Sequence, residues 1–245
     1  MLGVKIGKIV LEETNSTNSY SKSNINNIED RTAVIAKRQT SGRGRLNRSW
    51  IDLGEGNLFM TLVLKPSDKY SPIYSNLTQY LSVSLCKVLE FYGLQPQIKW
   101  PNDVLINDKK IAGILAETVM LGNSMKGLLL GIGVNLNADE ISIKNITDKK
   151  ATSMNLELNK EINIEEFTDK LLETFFKDYD KFLQTGFEQI KKDYICRNCF
   201  LNKQIKVQGF NKITEGTAQE INDNGELVIL TDKNNRVILT IGDIL

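Results

Sequence analysis

The sequence predicts an α+β fold in two parts, and three observations carry that expectation. Apolar, β-branched runs bounded by turn residues recur up to residue 137 and read as strands. Two long segments repeat their apolar residues at helical spacing. Beyond Cys196 the texture changes to short alternating runs punctuated by Gly, Asn and Asp, the pattern of a small β-barrel. A boundary is therefore expected near Tyr194, dividing residues 1–194 from residues 195–245.

In chain order, VKIGKIVLEE, TAVIAK and NLFMTLVL are the first three expected strands. SPIYSNLTQYLSVSLCKVLEFYG then sets Ile73, Leu77, Leu81, Leu85, Val88 and Leu89 on one helical stripe, with Gly93 as its stop. QIKWPNDVLI, KIAGILAETVM and KGLLLGIGVNLN return to strand character. Asn107-Asp108 marks a hairpin that would put Asp103 and Lys110 on neighbouring rungs. NADEISIKNITDKKATSMN, around Lys149-Lys150, is polar enough for a mobile loop. NIEEFTDKLLETFFKDYDKFLQTG aligns Phe167, Leu171, Leu172, Phe175, Tyr179, Phe182 and Leu183 and stops at Gly186, so its aromatic residues are core packing. The tail KQIKVQG, KITEGTAQEI, NDNGELVILT and RVILTIGDI holds five short strands, with Asn224-Gly225 as a hairpin turn.

Composition narrows the chemistry. At 41% hydrophobic and 25% charged, a chain of 245 residues can bury a sizeable core. A net charge of +1 gives no bulk field for nucleic acid or an anionic membrane, so any anion site is local. No apolar run approaches the roughly 20 residues that span a bilayer, and MLGVKIGKIVLEET lacks a signal-peptide layout. With only three cysteines, the chain reads as cytoplasmic. The CxxC of Cys196 and Cys199 has no second ligand pair, because the chain contains no histidine. The same absence removes Ser-His-Asp and Cys-His catalysis. Arginine, lysine, carboxylate and amide groups remain.

Those groups concentrate in four places. QTSGRGRLNRSW carries Arg43, Arg45 and Arg48, planar forks for phosphate or carboxylate, on a chain that Gly42 and Gly44 let approach a ligand closely. Three like charges repel, so an empty loop is expected to be disordered and a liganded one ordered, as in a lid. A solvated basic loop or a nucleic-acid contact is the plainer reading. No GxxxxGK[ST] phosphate loop exists anywhere in the chain. In KWPNDVLINDKKIAGILAE, Pro101 forces an extended entry and Asn102 and Asp103 face a cleft, with Lys110 across the hairpin. This combination suits adenylate chemistry, and a salt bridge across a hairpin explains it equally. GIGVNLN leaves room for a flat ligand or makes a tight bend. NSTNSY offers hydroxyls and an amide after the first strand, or an N-cap, or both.

Taken in order, STN, QTSGRGRLNRSW, KWPNDVLI, KKIAGILAE and GIGVNLN resemble the motifs of the biotin protein ligases, over residues 16–137. The resemblance implies an α+β, mixed-sheet catalytic domain of the biotin/lipoate ligase type, followed by a small SH3-like β-barrel. It implies that biotin is activated by ATP as biotinyl-5′-AMP and passed to a lysine of a biotin carboxyl carrier domain, with Mg²⁺ as cofactor. Carried over residue by residue, Ser16, Thr17, Asn18 and Gln39 would hold the biotin head, and Gly42, Arg43, Gly44 and Arg45 would close over its tail and the phosphate. Lys110 would reach carboxylate and phosphate oxygens, while Gly113, Gly131, Gly133 and Asn135 would line the pocket. Trp50 would be the platform for adenine, with Arg48, Asn102 and Asn135 also on the ATP side and Asp103 placed for the nucleotide and Mg²⁺. Arg43, Arg45, Asp103 and Lys110 would carry the chemistry.

Where the family commonly reads GRGRRGRxW, this chain has Leu46-Asn47 in place of an arginine and a glycine, which keeps the first two loop arginines. STN begins at Ser16, so the resemblance implies a ligase without the winged-helix domain and without a nucleic-acid partner. Family members commonly form homodimers through sheet edges. A lipoate-protein ligase is the sister reading, and a non-catalytic nucleic-acid-binding module the reading from another class.

Overall fold

A computed structural model describes residues 6–46, 48–144, 146, 150–210 and 212–245. Val4 and Lys5 of the first expected strand, Asn47 of the arginine-rich run and Lys149 of the polar stretch lie outside the described residues.

The larger sheet has seven strands: β1 (Gly7–Thr14), β2 (Thr32–Gln39), β3 (Leu58–Leu64), β4 (Pro96–Lys99), β5 (Asp103–Ile106), β6 (Lys109–Leu121) and β7 (Ser124–Val134). Their order is β1-β2-β3-β7-β6-β5-β4. β1 runs parallel to β2 and every other pairing is antiparallel, so the sheet is mixed. β3 reads as an unbroken apolar run because it is central and buried along its whole length. One face of the sheet, with Leu62, Leu64, Leu128 and Leu130, packs under helices α2 (Leu77–Phe91) and α5 (Ile164–Lys177), introduced below. The opposite face, with Val34, Val63 and Leu129, meets Tyr20 of helix α1 (Thr17–Ser23) and Ile25 just after it. Each such leucine contributes about 1.5–3 kcal/mol by leaving water.

The expected helical stripes are the core. A short 3-10 turn, Pro72–Asn76, leads into α2, and the chain leaves it through Gly93 at φ 89°. α5 is capped by Asn163, whose side chain accepts from Glu166 N. Tyr80 of α2 stacks on Phe182 with centroids 4.4 Å apart and meets Phe175 edge-on at 5.0 Å. The expected single helix over residues 163–186 is two: α5 ends at Lys177, Asp178 leaves helical geometry at φ −122° and ψ 11°, and α6 (Tyr179–Thr185) follows. Gly186 stops it at φ 64°.

Three further differences bear on the site. QIKWPNDVLI is not one strand but β4 and β5 joined by a turn at Trp100–Asn102, since Pro101 has no amide for the ladder. Within the polar stretch, α3 (Glu140–Lys144) is followed by α4 (Met154–Leu158). The chain before α4 is docked: Lys110 N donates to Lys150 O at 2.9 Å and Thr152 N to Lys110 O at 3.0 Å, so residues 150–152 hold Lys110 from outside the hairpin. α7 (Glu188–Cys196) was not anticipated, because only Ile190 and Tyr194 are buried on it and they define no stripe.

The second sheet contains β8 (Gln204–Gln208), β9 (Ile213–Ile221), β10 (Leu227–Leu230), β11 (Arg236–Leu239) and β12 (Asp243–Ile244), in the order β11-β10-β9-β8-β12 and antiparallel throughout. Among the described residues no ladder joins β11 to β12, so this sheet is open at those two edges. Contacts from the rest of the chain hold it in place. The Asn224-Gly225 turn is gripped by Asn76 Nδ2, Gln79 Nε2 and Trp100 Nε1, which donate to its carbonyls at 2.9, 2.8 and 3.2 Å. A further tie is Asp243, which enters the site.

Candidate active site

The site is assembled where β2, β3, β6 and β7 present residues to one face and the segment between β2 and β3 folds across them. Ser16 is the N-cap of α1 by backbone geometry, yet its hydroxyl makes no capping bond. Thr17 and Asn18 start the helix and are buried. Gln39 at the end of β2 accepts from Thr17 N at 2.8 Å and from the Thr17 hydroxyl at 3.2 Å. The Thr61 hydroxyl of β3 donates to Asn18 Oδ1 at 2.6 Å and lies 2.8 Å from the Thr17 hydroxyl. A Cβ on Gly131 of β7 would run into Asn18 Oδ1, so the glycine is what admits this cluster. Thr61 was not among the expected site residues. A lone hydroxyl inside a fully buried apolar strand was the available signal.

The arginine-rich segment is a miniature hairpin. Arg43 and Ser49 form an isolated antiparallel bridge, Gly44 N donates to Arg48 O at 2.7 Å, and Trp50 N donates to Gly42 O at 2.9 Å. A Cβ on Gly42 would collide with the Trp50 carbonyl, which is why a glycine stands there. The repulsion expected among three like charges has partners to offset it. Carboxylates elsewhere in the chain neutralise the repulsion: Arg43 pairs with Glu117 at 3.1 Å, Arg45 with Asp243 at 3.6 Å, and Arg48 with Asp243 at 2.7 Å. Arg45 Nη1 also donates to Asn102 Oδ1 at 3.0 Å. Burial lowers the Arg45 pKa, and Asp243 and Asp103 oppose that shift. A guanidinium still stays charged under such a shift.

The expected hairpin is present. Asn107 and Asp108, both at positive φ (51° and 59°), turn β5 into β6, but the register shifts between Val104 and Leu105, so Lys110 pairs with Leu105 and Asp103 with Gly113 rather than on neighbouring rungs. The long lysine side chain still brings Nζ 2.6 Å from Asp103 Oδ1. Side-chain exposures of 20% and 15% place this pair inside the site rather than on the surface. Lys110 Nζ also sits 5.4 Å from the centroid of the Trp50 ring. The indole fills the space over two glycines: a Cβ on Gly113 would approach Trp50 Cζ3 to 2.9 Å, and one on Gly133 would lie 2.6 Å from Trp50 Nε1. That Nε1 is buried without a hydrogen-bond partner. Asn102 and Asn135 are committed to the protein, with their amide groups donating to Ile114 O at 2.6 Å and Thr152 O at 3.0 Å. They shape the site more than they reach into it. Arg43, Gly44 and Arg45 wall a cleft of about 1560 Å³ that continues past Tyr70 toward Phe210, between β8 and β9.

A profile described as the biotin/lipoate A/B protein ligase family matches residues 10–135, more than half of the chain. The chain belongs to that family. Residues 200–245 match the biotin protein ligase C-terminal domain. Among relatives of this ligase family, the bifunctional ligase/repressor BirA of Bacillus subtilis is 30% identical over 214 residues, covering 87% of this chain and 66% of that protein, just under two thirds of its length. The biotin–acetyl-CoA-carboxylase ligase of Paracoccus denitrificans is 29% identical over 236 residues, covering 94% of this chain and 96% of that one. The biotin protein ligase of Aquifex aeolicus in complex with biotin and ATP superposes with a TM-score of 0.81 at 28% identity, covering 98% and 97% of the two chains. The fold class expected from sequence thus agrees with the solved ligase fold. None of the described helices is long and apolar enough to cross a membrane.

Proposed function

We propose that the protein activates biotin with ATP as biotinyl-5′-AMP and then transfers the biotinyl group to a lysine of a biotin carboxyl carrier domain. One observation carries the reading: a buried neutral pocket and an arginine hairpin meet through Glu117, with a lysine–carboxylate pair against the Trp50 ring beside them. In the first step a biotin carboxylate oxygen bonds to the α-phosphorus and the bond to the β-phosphate oxygen breaks, releasing pyrophosphate. In the second, the carrier lysine amine bonds to the acyl carbon, AMP leaves with the bridging oxygen, and the amine gives up its proton.

Ser16, Thr17, Asn18 and Gln39 bind the ureido head, whose paired donors and acceptors match amides and hydroxyls. Gly113 and Gly131 leave room for it. Lys110, poised 2.6 Å from Asp103, turns to the carboxylate and α-phosphate oxygens where charge develops. Arg43 offers the donor edge that its carboxylate partner leaves free, Arg45 exchanges its partner for a substrate anion, and the two shut water from the mixed anhydride. Trp50 moves off the two glycines to stack on adenine, and Arg48 joins it on the nucleotide side with Asn102 and Asn135 as supports. Mg²⁺ fits the residues present as an ion held mainly by the nucleotide: Asp103 offers one carboxylate, and among the described residues no cluster of three ligating side chains gathers. When bound, Mg²⁺ would neutralise phosphate charge.

The same reading divides the chain into a catalytic domain, residues 1–194, and a small C-terminal domain, residues 195–245, and places it in the cytoplasm. A homodimer would use β1, whose outer edge carries no strand among the described residues. The deciding experiment is biotin-dependent exchange of labelled pyrophosphate into ATP, with lipoate in parallel. Exchange with biotin alone supports the proposal, exchange with lipoate alone replaces it with the sister activity, and exchange with neither acid by folded protein rejects both.

A further inference from the structure

Glu117 lies on β6, is mostly buried at 19% side-chain exposure, and belongs to neither the pocket nor the loop by sequence. Its carboxylate nevertheless touches both. Oε2 accepts from Asn18 Nδ2 at 2.9 Å, while Oε1 and Oε2 stand 3.1 and 3.2 Å from Arg43 Nη1. These contacts settle two geometries. An asparagine amide can sit either way round; with Thr61 donating to Oδ1 and Glu117 accepting from Nδ2, only one orientation satisfies every partner. Arg43 is anchored through one terminal nitrogen, so its other terminal nitrogen and Nε remain as a donor edge for an anion.

We infer that Glu117 is a positioning residue that couples recognition of the biotin head to closure of the arginine hairpin. It orients Asn18 within the head pocket and aims Arg43 at the acid tail from the same carboxylate. The inference rests on the proposed biotin-adenylating activity and adds a residue to it. Its physical content is pre-organisation: two groups that must both meet one substrate are fixed before it arrives, so less ordering remains for binding to impose.

Because Glu117 works through its neighbours, it should govern the KM for biotin and the retention of the adenylate more than the rate of the chemical step. Glu117→Ala removes both contacts. The KM for biotin should rise about tenfold, the scale of one charge-assisted hydrogen bond. The KM for ATP and kcat for pyrophosphate exchange should change by less than about threefold, and labelled adenylate should leave faster on gel filtration. Glu117→Gln keeps one carbonyl oxygen, which in the position of Oε2 can accept from both Asn18 and Arg43, and should recover most of the KM. The residue's path of action is read from the double variant with Arg43→Gln, in which the cost of Glu117→Ala should shrink. An unchanged KM for biotin in Glu117→Ala, or a full, additive cost in the double variant, overturns the proposal. If Glu117→Ala does not fold, Glu117→Met, which keeps the bulk but removes both acceptor oxygens, is combined with Arg43→Gln for the same coupling test, and strict additivity there sinks it. Wild-type exchange in the same assay separates the outcomes: no biotin-dependent exchange by wild type defeats the activity itself, whereas normal exchange with an indifferent Glu117 defeats only its positioning role.

Discussion

The head pocket and the arginine hairpin are both polar, and they solve opposite problems. Thr17, Asn18, Gln39 and Thr61 are buried, uncharged and bonded mainly to one another, so the pocket is finished before a ligand enters. Arg43, Arg45 and Arg48 are charged and satisfied by carboxylates from distant strands, Glu117 on β6 and Asp243 on β12. Neutral networks hold shape; ion pairs can be exchanged for another anion at little net cost. The comparison teaches that selection belongs to the first region and capture to the second.

The sharpest break falls between them, at Lys110. Lys110→Ala should lower adenylation by 10²- to 10³-fold, the loss of about 2.7–4 kcal/mol of transition-state stabilisation. Pyrophosphate exchange measures it, and an unchanged circular dichroism spectrum shows that the fold persists. Gly131→Ala attacks the finished pocket. Its Cβ meets Asn18 Oδ1, and overpacking of this kind costs about 1–3 kcal/mol. The KM for biotin should rise about tenfold or more with the KM for ATP unaltered, as steady-state kinetics would show. Arg45→Gly attacks capture instead. Adenylate should still form, within about tenfold of the normal rate, but escape and label bystander lysines on an added protein; loss of all adenylation without bystander labelling would contradict a retaining role. Asp243→Asn leaves the Arg45 and Arg48 side chains without their charged partner while keeping an acceptor, so a shift of about fivefold in the KM for ATP is expected, near 1 kcal/mol. Smallest and remote, Asn163→Ala should cost about 1 kcal/mol of stability in denaturant melts and leave both KM values alone.

The same contrast explains what the sequence disclosed. QTSGRGRLNRSW and KWPND stood out because charge, glycine and proline are conspicuous in a linear reading. The Asn107-Asp108 turn was legible too, although a register shift in β5 sets Lys110 and Asp103 farther apart along the ladder than the spacing implied and the lysine side chain closes the gap. The apolar stripes of α2 and α5 were equally plain, being set by helical period alone. The partners were hidden. Thr61 sits in an apolar run, Glu117 is one glutamate in a long strand, and Asp243 lies 195 residues from Arg48, which it holds along with Arg45, so no local signal joins them. The break at Asp178 was masked by apolar residues that continue in phase on both sides. Docking of residues 150–152 beside Lys110 was invisible because it uses backbone amides, which every residue has.

One consequence of the neutral pocket concerns acidity. The pocket's own groups, on Thr17, Asn18, Gln39 and Thr61, are amides and hydroxyls, which keep the same protons from about pH 5 to pH 9; the carboxylate behind them is Glu117, and the chain has no histidine to titrate between those limits. Discrimination among acids with different heads is therefore indifferent to the proton concentration of the compartment. A cell that acidifies would slow or speed the making of the adenylate without altering which acid is chosen.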